Sequence, residues 1–325
     1  MPTLLPKTIP ISDKESWKYS NINAALKKLE VVAKPCAWEL SGASEFMMDN
    51  KTIVIPKNKQ VTRPIEMKLH GLDKVHFETD FNLLVESGAE VVLLERQSGE
   101  GAYWKNIDLN ITLGANATLH HYRFCEEDPF CVTTERTTIT QGRDSSYHMM
   151  VVNGCAGLGR AEFKVLMQEA GAECDLAGLT LLAGKQHSDI TICVDHIAPH
   201  CRSSQFFKTI LNDGSRGVYQ GKIHVHKDAQ KTDGYQLSNN LLLSNLAEMD
   251  VKPELEIYAD DVKCSHGSTT GQLDETPLFY LMSRGISKDD ARRLLLEAFM
   301  GEVLDKISHE DIRAIFSERV RLWLK

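Results

Sequence analysis

At 325 residues, 42% of them hydrophobic and 25% charged, the chain is long enough to bury a substantial core without disulfide or metal staples. A formal net charge of -8 leaves no basic footprint, which sets nucleic-acid binding aside. No stretch approaches the roughly 18 consecutive apolar residues of a membrane-spanning helix, and the eight cysteines contain no Cys-x-x-Cys pair, against a zinc ribbon, a thioredoxin motif or a ferredoxin cluster.

The opening "MPTLLPKTIPISDKESWKYS" breaks each short apolar stretch with proline and has no apolar run of signal-peptide length. It reads as the start of a mature, cytoplasmic protein. Residues 1–50 form an N-terminal segment in which "NINAALKKLEVV" predicts a short helix.

From Thr52 to Cys264 the pattern changes to short alternating runs, among them "TIVIP", "EVVLLE", "IDLNITLG", "ERTTITQ", "KIHVHKD" and "PELEIYA". Alternation in Val, Ile, Thr and aromatic residues is strand chemistry. The breaks resemble one another: a small turn element, then Ala89, Ala115, Ala172 or Ala229, with weaker turns near Asp144 and Cys201. Their spacing of roughly 28 residues is that of stacked supersecondary units. A sandwich would place turns about every 8–12 residues, so the expectation over 51–270 is a parallel β-helix. "GCAGLGR", residues 154–160, has the wrong spacing for a dinucleotide fingerprint and reads as a turn between coils.

Residues 271–325 are helical. Asp274 and Gly285 are the N-cap and C-cap signals of a first short helix. Ser287 to Asp290 resembles a capping box opening a second, with Leu294, Leu295, Ala298, Val303 and Leu304 as its apolar face. A third runs from about Glu310 to Leu324.

Catalytic signatures are absent: there is no Gly-x-Ser-x-Gly, no phosphate-binding loop and no His-Glu-x-x-His. Asp195-His196 and Asp260-Asp261 are too sparse for paired acid and base roles. Cys264 and His266 stand two apart on a strand, so both leave one face and can reach one metal ion. Two ligands do not complete a site, and a buried cysteine beside a locally bonded histidine is the blander alternative. His224 and His226 repeat the geometry and read as a solvated strand face; His120 and His121, being adjacent, point to opposite faces and read as structural.

The block from Val218 to Gly285, containing "GKIHVHKDAQKTDGYQ", "NLLLS", "AEMDVKPELEIYADDVKCSHG" and "LFYLMSRG", resembles the SufD family of the SUF iron-sulfur cluster assembly machinery. "ESWKYS" is similar to that family's N-terminal Trp-Lys-Tyr element, and "AYWKNIDLNITLGANATLHHYR" to its central coils. The resemblance implies a right-handed parallel β-helix flanked by helices, and a scaffold without catalysis of its own. It implies pairing with the related SufB through β-helix ends, and docking of the ATPase SufC on the helical tail. A transient iron-sulfur cluster would form at the SufB junction. His266 falls on the family histidine, a candidate metal ligand acting in trans with a SufB cysteine, with Cys264 beside it; the isolated chain would hold no cofactor and can pair with itself.

For the SufC contact, Phe279, Tyr280, Arg284 and Gly285 are the candidates, the aromatics as anchors and Arg284 as the specifying charge. Trp17 lies closer to the start than is usual in the family, and the Lys-Cys-Ser-His-Gly wording of residues 263–267 favours SufD over SufB. Two other readings stay open: a β-helix carbohydrate-active enzyme, and a stand-alone metal binder using Cys264, His266, His224 and His226.

Overall fold

The computed structural model describes residues 15, 17–34, 38–154 and 156–324; the readings of residues 1–14, Cys36 and Cys155 lie outside the described residues. The alternating runs form two parallel sheets, and the chain crosses from one to the other at every turn, so that each coil contributes one strand to each sheet. Glu90, Thr118, Ser146, Glu173, Arg202, Asp233 and Lys263 stand in one register column. The repeat expected from the turns is the rise from coil to coil of a parallel β-solenoid.

What makes the corners repeat is backbone conformation. Gly88, Asn116, Asp144, Gly171, His200 and Lys231 all adopt positive φ, between 53° and 77°, where glycine and asparagine are cheapest and other residues are strained. The next position in each coil is Ala89, Ala117, Ser145, Ala172, Cys201 or Thr232, buried to 1% exposure or less. Its carbonyl accepts from the amide that opens the next coil's strand, from Thr118 N to Ala89 O (2.9 Å) through Lys263 N to Thr232 O (2.8 Å). One turn marker is corrected by this. Ala117, not Ala115, follows the left-handed residue of its turn, and Thr232 follows the left-handed Lys231, while Ala229, three positions earlier in the same turn, is also buried, against Ile223 and Val225.

Along each strand one face turns inward. Near the corners it is apolar, with Ile53, Ile111, Ile139, Val165 and Val194 each 1% exposed or less. Further along the central coils it is charged. Arg123 donates to Glu95 (2.8 Å), Glu135 (2.9 Å) and Thr137 (2.9 Å). His121 lies 2.9 Å from Glu95 and 3.0 Å from Tyr147, and Lys105 pairs with Glu127. Burial resists ionisation of Glu95, but Arg123 and His121 hold its carboxyl down to about 2, whereas burial pushes Glu135 up. His120 points out of the other face, as its adjacency to His121 requires.

The N-terminal segment lies against the outside. Helix α1 (Ile22–Leu26) is capped by Asn21, which accepts from Ala24 N at 3.0 Å, and Ile22 packs with Trp104, Val132 and Leu158. Trp17 covers the Arg160 guanidinium at 4.2 Å, so the Trp-Lys-Tyr element shields a buried Arg160–Asp189 pair. Trp38–Ser41 and Met47–Asp49 add antiparallel strands at the first coil, where Phe46 and Ala43 are buried. That end of the solenoid is covered.

After the last coil come α2 (Glu275–Ser283), α3 (Lys288–Leu304) and α4 (Glu310–Trp323). Asp274 caps α2 through Thr276 N (2.8 Å); Gly285, at φ +87°, ends it in a Schellman motif, with Gly285 N bonded to Met282 O and Ile286 N to Leu281 O. Ser287 accepts from Asp290 N, but the Asp290 carboxylate accepts from the Ser287 hydroxyl and not from its backbone amide, so the capping box is only half formed.

Helices α3 and α4 lie on the outer face of one sheet. There Leu296, Met300, Val303, Leu304, Ile312, Phe316 and Val320 pack on Val92, Leu94, Tyr122, Met150, Val152 and Leu179. The expected face of α3 is corrected in part: Leu294 and Ala298 face solvent, because the buried stripe follows Leu296, Met300 and Val303. No helix among the described residues is long and apolar enough to cross a membrane.

Where the tail meets the sheet, the His120 ring stacks on His148 (5.0 Å) and meets His309 edge-on (4.9 Å), and Tyr122 Oη lies 2.9 Å from His309 Nδ1. Burial, then the neighbouring His148 and His309, lowers His120 to about 4; the Glu90 carboxylate 3.8 Å away is half exposed and screened. An unfolded histidine takes its proton near 6.5, so this contribution is complete above about that pH and is lost as the pH falls towards 4. Thermal midpoints at about pH 7.5 and 5 are expected to show the loss, and His120→Phe, which keeps the stacking, to shrink it.

Candidate functional site: the open end of the solenoid

The last coil has no successor. Lys263–Gly271 is the edge of one sheet and Glu248–Ile257 the edge of the other. An edge strand presents unpaired backbone groups. Pro253 lies in the second of these strands, where a missing N–H is tolerated. Register fixes which side chains face inward there. Met249, Val251, Pro253, Leu255 and Ile257 stack on Gly217, Tyr219, Gly221, Ile223 and Val225. In the facing strand Cys264, His266, Ser268 and Thr270 stack on Gly234, Gln236, Ser238 and Asn240.

In earlier coils these inward positions are sealed by the next coil; here they are not. Ile257 is 39% exposed, and Met249, Val251 and Leu255 are only half-buried. His266 is exposed on the same inward face. Cys264 is half-buried against Gly234 and the apolar set around Ile223 and Val225. Burial pushes its thiol above its ordinary value, so Cys264 is not an activated thiolate in the free chain.

Behind His266 runs a polar column that sequence reasoning missed. Gln205, Gln236 and His266 stand one coil apart in register. Gln205 accepts from the Tyr219 hydroxyl (3.0 Å), and Gln236 donates to Gly221 O (3.3 Å). Gln205 Nε2 and Gln236 Oε1 have no partner among the described residues. The signal was present: a glutamine one repeat before another, leading to a histidine.

The remaining candidates do not gather around His266. Phe279 and Tyr280 sit on α2, 73% and 56% exposed, with Arg284 folded over the Tyr280 ring at 5.2 Å. No residue of α2 is buried. Met282 and Leu294 extend the uncovered apolar surface on α2 and α3. His224 and His226 leave the outer face of their sheet, as their spacing predicts. Both are half-buried and converge with Asp195 from the preceding coil.

Residues 73–299 match the family described as SUF system FeS cluster assembly, SufBD core domain. The chain is 38% identical over 317 residues to an iron-sulfur cluster assembly SufBD family protein of Synechocystis, covering 90% of this chain and 68% of that protein. It is 32% identical over 236 residues to the iron-sulfur cluster assembly protein SufD of Escherichia coli, covering 71% of this chain and 55% of that protein. With the chloroplastic protein ABCI7 of Arabidopsis thaliana it shares 31% over 290 residues, 85% of this chain and 60% of the relative. The chain thus spans between 55% and 68% of the length of these relatives. A two-sheet parallel solenoid, matched over most of its coils, places this chain in the SufBD core family of SUF iron-sulfur cluster assembly.

Proposed function

We propose that the chain is a SufD-like scaffold subunit without catalysis of its own, which pairs end to end with a SufB-like solenoid and holds a nascent iron-sulfur cluster, as cargo, at the junction. The observation that carries this is the uncovered last coil: an exposed imidazole, His266, on an inward face framed by half-buried Met249, Val251 and Leu255. A second solenoid laid on that end supplies the missing coil, pairs the free edges and buries the apolar side chains. His266 then becomes a ligand beside a partner cysteine. Imidazole with thiolate suits iron, and a ligand set split between two chains makes binding conditional on assembly. The Lys-Cys-Ser-His-Gly segment at 263–267 supports the SufD-like assignment over the SufB-like one.

The second contact is α2. Phe279 and Tyr280 are large aromatics with no internal packing role, beside a positioned arginine, the composition of interface anchors. They are the docking point for the SufC-like ATPase, with Gly285 setting the exit angle to α3. Co-expression with the SufB-like and SufC-like chains of the same source tests both contacts; the expected product is a complex of all three. Phe279→Asp should lower ATPase affinity at least about tenfold, leave the solenoid partner bound, and keep the thermal midpoint, since α2 buries nothing. Recovery of this chain alone would refute the scaffold reading.

A further inference from the structure

Outside the open end, one group of side chains among the described residues has the makings of a metal site: Asp195, His224 and His226. It lies on the outer face of the sheet whose edge is Glu248–Ile257, and so on the opposite side of the wall from the inward face that carries His266. Asp195, His224 and Glu256 form an outward column across three adjacent strands, which stand about 4.8 Å apart. His226 follows His224 by two positions, just past the end of its strand, and leaves the same face. Asp195 Oδ1 is 2.7 Å from His224 Nδ1, and the two imidazole rings are 4.2 Å apart at 44°. One donor atom from each residue lies within 4.8 Å of those of the other two.

A hydrogen bond between Asp195 and one histidine would explain His224 alone. It does not explain His226, which forms no side-chain hydrogen bond among the described residues and meets His224 face to tilted face. The surroundings also hold the donors in place. Tyr258 meets the His224 ring edge-on at 5.8 Å, and its hydroxyl, together with Lys222, engages Glu256. Glu256, next in the column, is thereby kept from taking the Asp195 role. Asp195 and His224 side chains are 14% and 22% exposed, sheltered from bulk water yet reachable by an ion.

We infer that Asp195, His224 and His226 form a binding site for a divalent first-row transition-metal ion. Two imidazoles and one carboxylate favour zinc(II), iron(II) or cobalt(II) over magnesium or calcium, which prefer all-oxygen sets. Three protein donors leave a coordination position open, the pattern of an exchangeable site and not of a closed structural one. Metal entry replaces the proton shared by Asp195 and His224, and those two donors then separate slightly, since bonds of about 2.0–2.2 Å to one ion cannot be met at hydrogen-bond contact. The 29 positions between Asp195 and His224 are one coil, so the fold assembles the site from residues far apart in sequence.

The test is titration of the full, metal-stripped chain with zinc(II), with cobalt(II) followed by its visible absorption, and with iron(II) under anaerobic conditions. One ion per chain is expected, with magnesium unable to compete. His226→Asn, which removes no hydrogen bond, and Asp195→Asn should each weaken binding at least about tenfold, while Cys264→Ser with His266→Ala leaves it unchanged. Response to zinc and cobalt but not iron would support the site and exclude cargo iron as its ion; response to iron as well would admit it. Absence of binding, binding indifferent to His226→Asn and Asp195→Asn, or binding lost with Cys264 and His266 would overturn the inference.

Discussion

Arg123→Leu is expected to lower the free energy of unfolding by about 3–5 kcal/mol, the cost of removing one member of a buried ion pair and stranding the others. The guanidinium is 1% exposed, donates to two carboxylates and a threonine, and lies 5.2 Å from the centre of the Phe163 ring. Leucine retains the packing volume and none of the donors. Glu95 and Glu135, 1% and 6% exposed, would then face each other through Gln97 with no cation between them. The sign of the pH dependence follows. In the native chain Glu95 is held near 2, so its contribution is present above the unfolded carboxylate value and is lost as the pH falls through about 2. In the variant that depression is gone and burial raises the stranded carboxyls above the ordinary carboxylate value. The deficit relative to the native chain should therefore already narrow as the pH falls towards about 4.5, and narrow further below it as the native chain loses the Glu95 contribution. Denaturant unfolding at neutral and acid pH measures both. Adding Glu95→Gln and Glu135→Gln to Arg123→Leu should recover part of the loss.

Val251→Asp with Leu255→Asp is expected to weaken pairing with the SufB-like chain at least about hundredfold, since each places a charge at the centre of a surface that must be desolvated. Both side chains face inward in the uncovered coil and are half-buried in the free chain. Phe130→Asp, at a 73% exposed position in the turn before Val132, should leave pairing intact. Binding measured against immobilised partner separates the two. Equal loss from both variants would mean a general effect of surface charge.

The solenoid was legible in sequence because its period is written in turn chemistry: a left-handed residue followed by a small one recurs every coil. Ala115 stands two positions before the corner residue Ala117, and Ala229 is buried in its turn ahead of Thr232, while the corner itself tolerates Ser145, Cys201 and Thr232. Asp274 and Gly285 marked the ends of α2 correctly, since caps act within a few residues. The face of α3 was harder. Leu294 and Leu296 are equally apolar, and only the sheet beneath the helix selects between them.

The site divides the same way. Cys264 and His266 share a strand, so their common face could be read from spacing. Asp195 with His224, and Gln236 with His266, meet only through the register between coils, which fixes partners a whole repeat apart. The interior charges were hidden for a further reason. "LLERQ" and "HHYRF" interrupt the apolar alternation with charged residues on the inward phase, a pattern that local reading assigns to solvent.

The most direct test of the scaffold account is anaerobic cluster reconstitution on the purified three-chain complex, native and His266→Ala, followed by visible absorption and by iron and sulfide content. The account predicts that both complexes assemble and that the variant loses the cluster, because His266 is exposed on the uncovered last coil and supports nothing in the free chain. A variant complex that builds the native amount of cluster would contradict it, and would reduce the open end to a surface for holding partners.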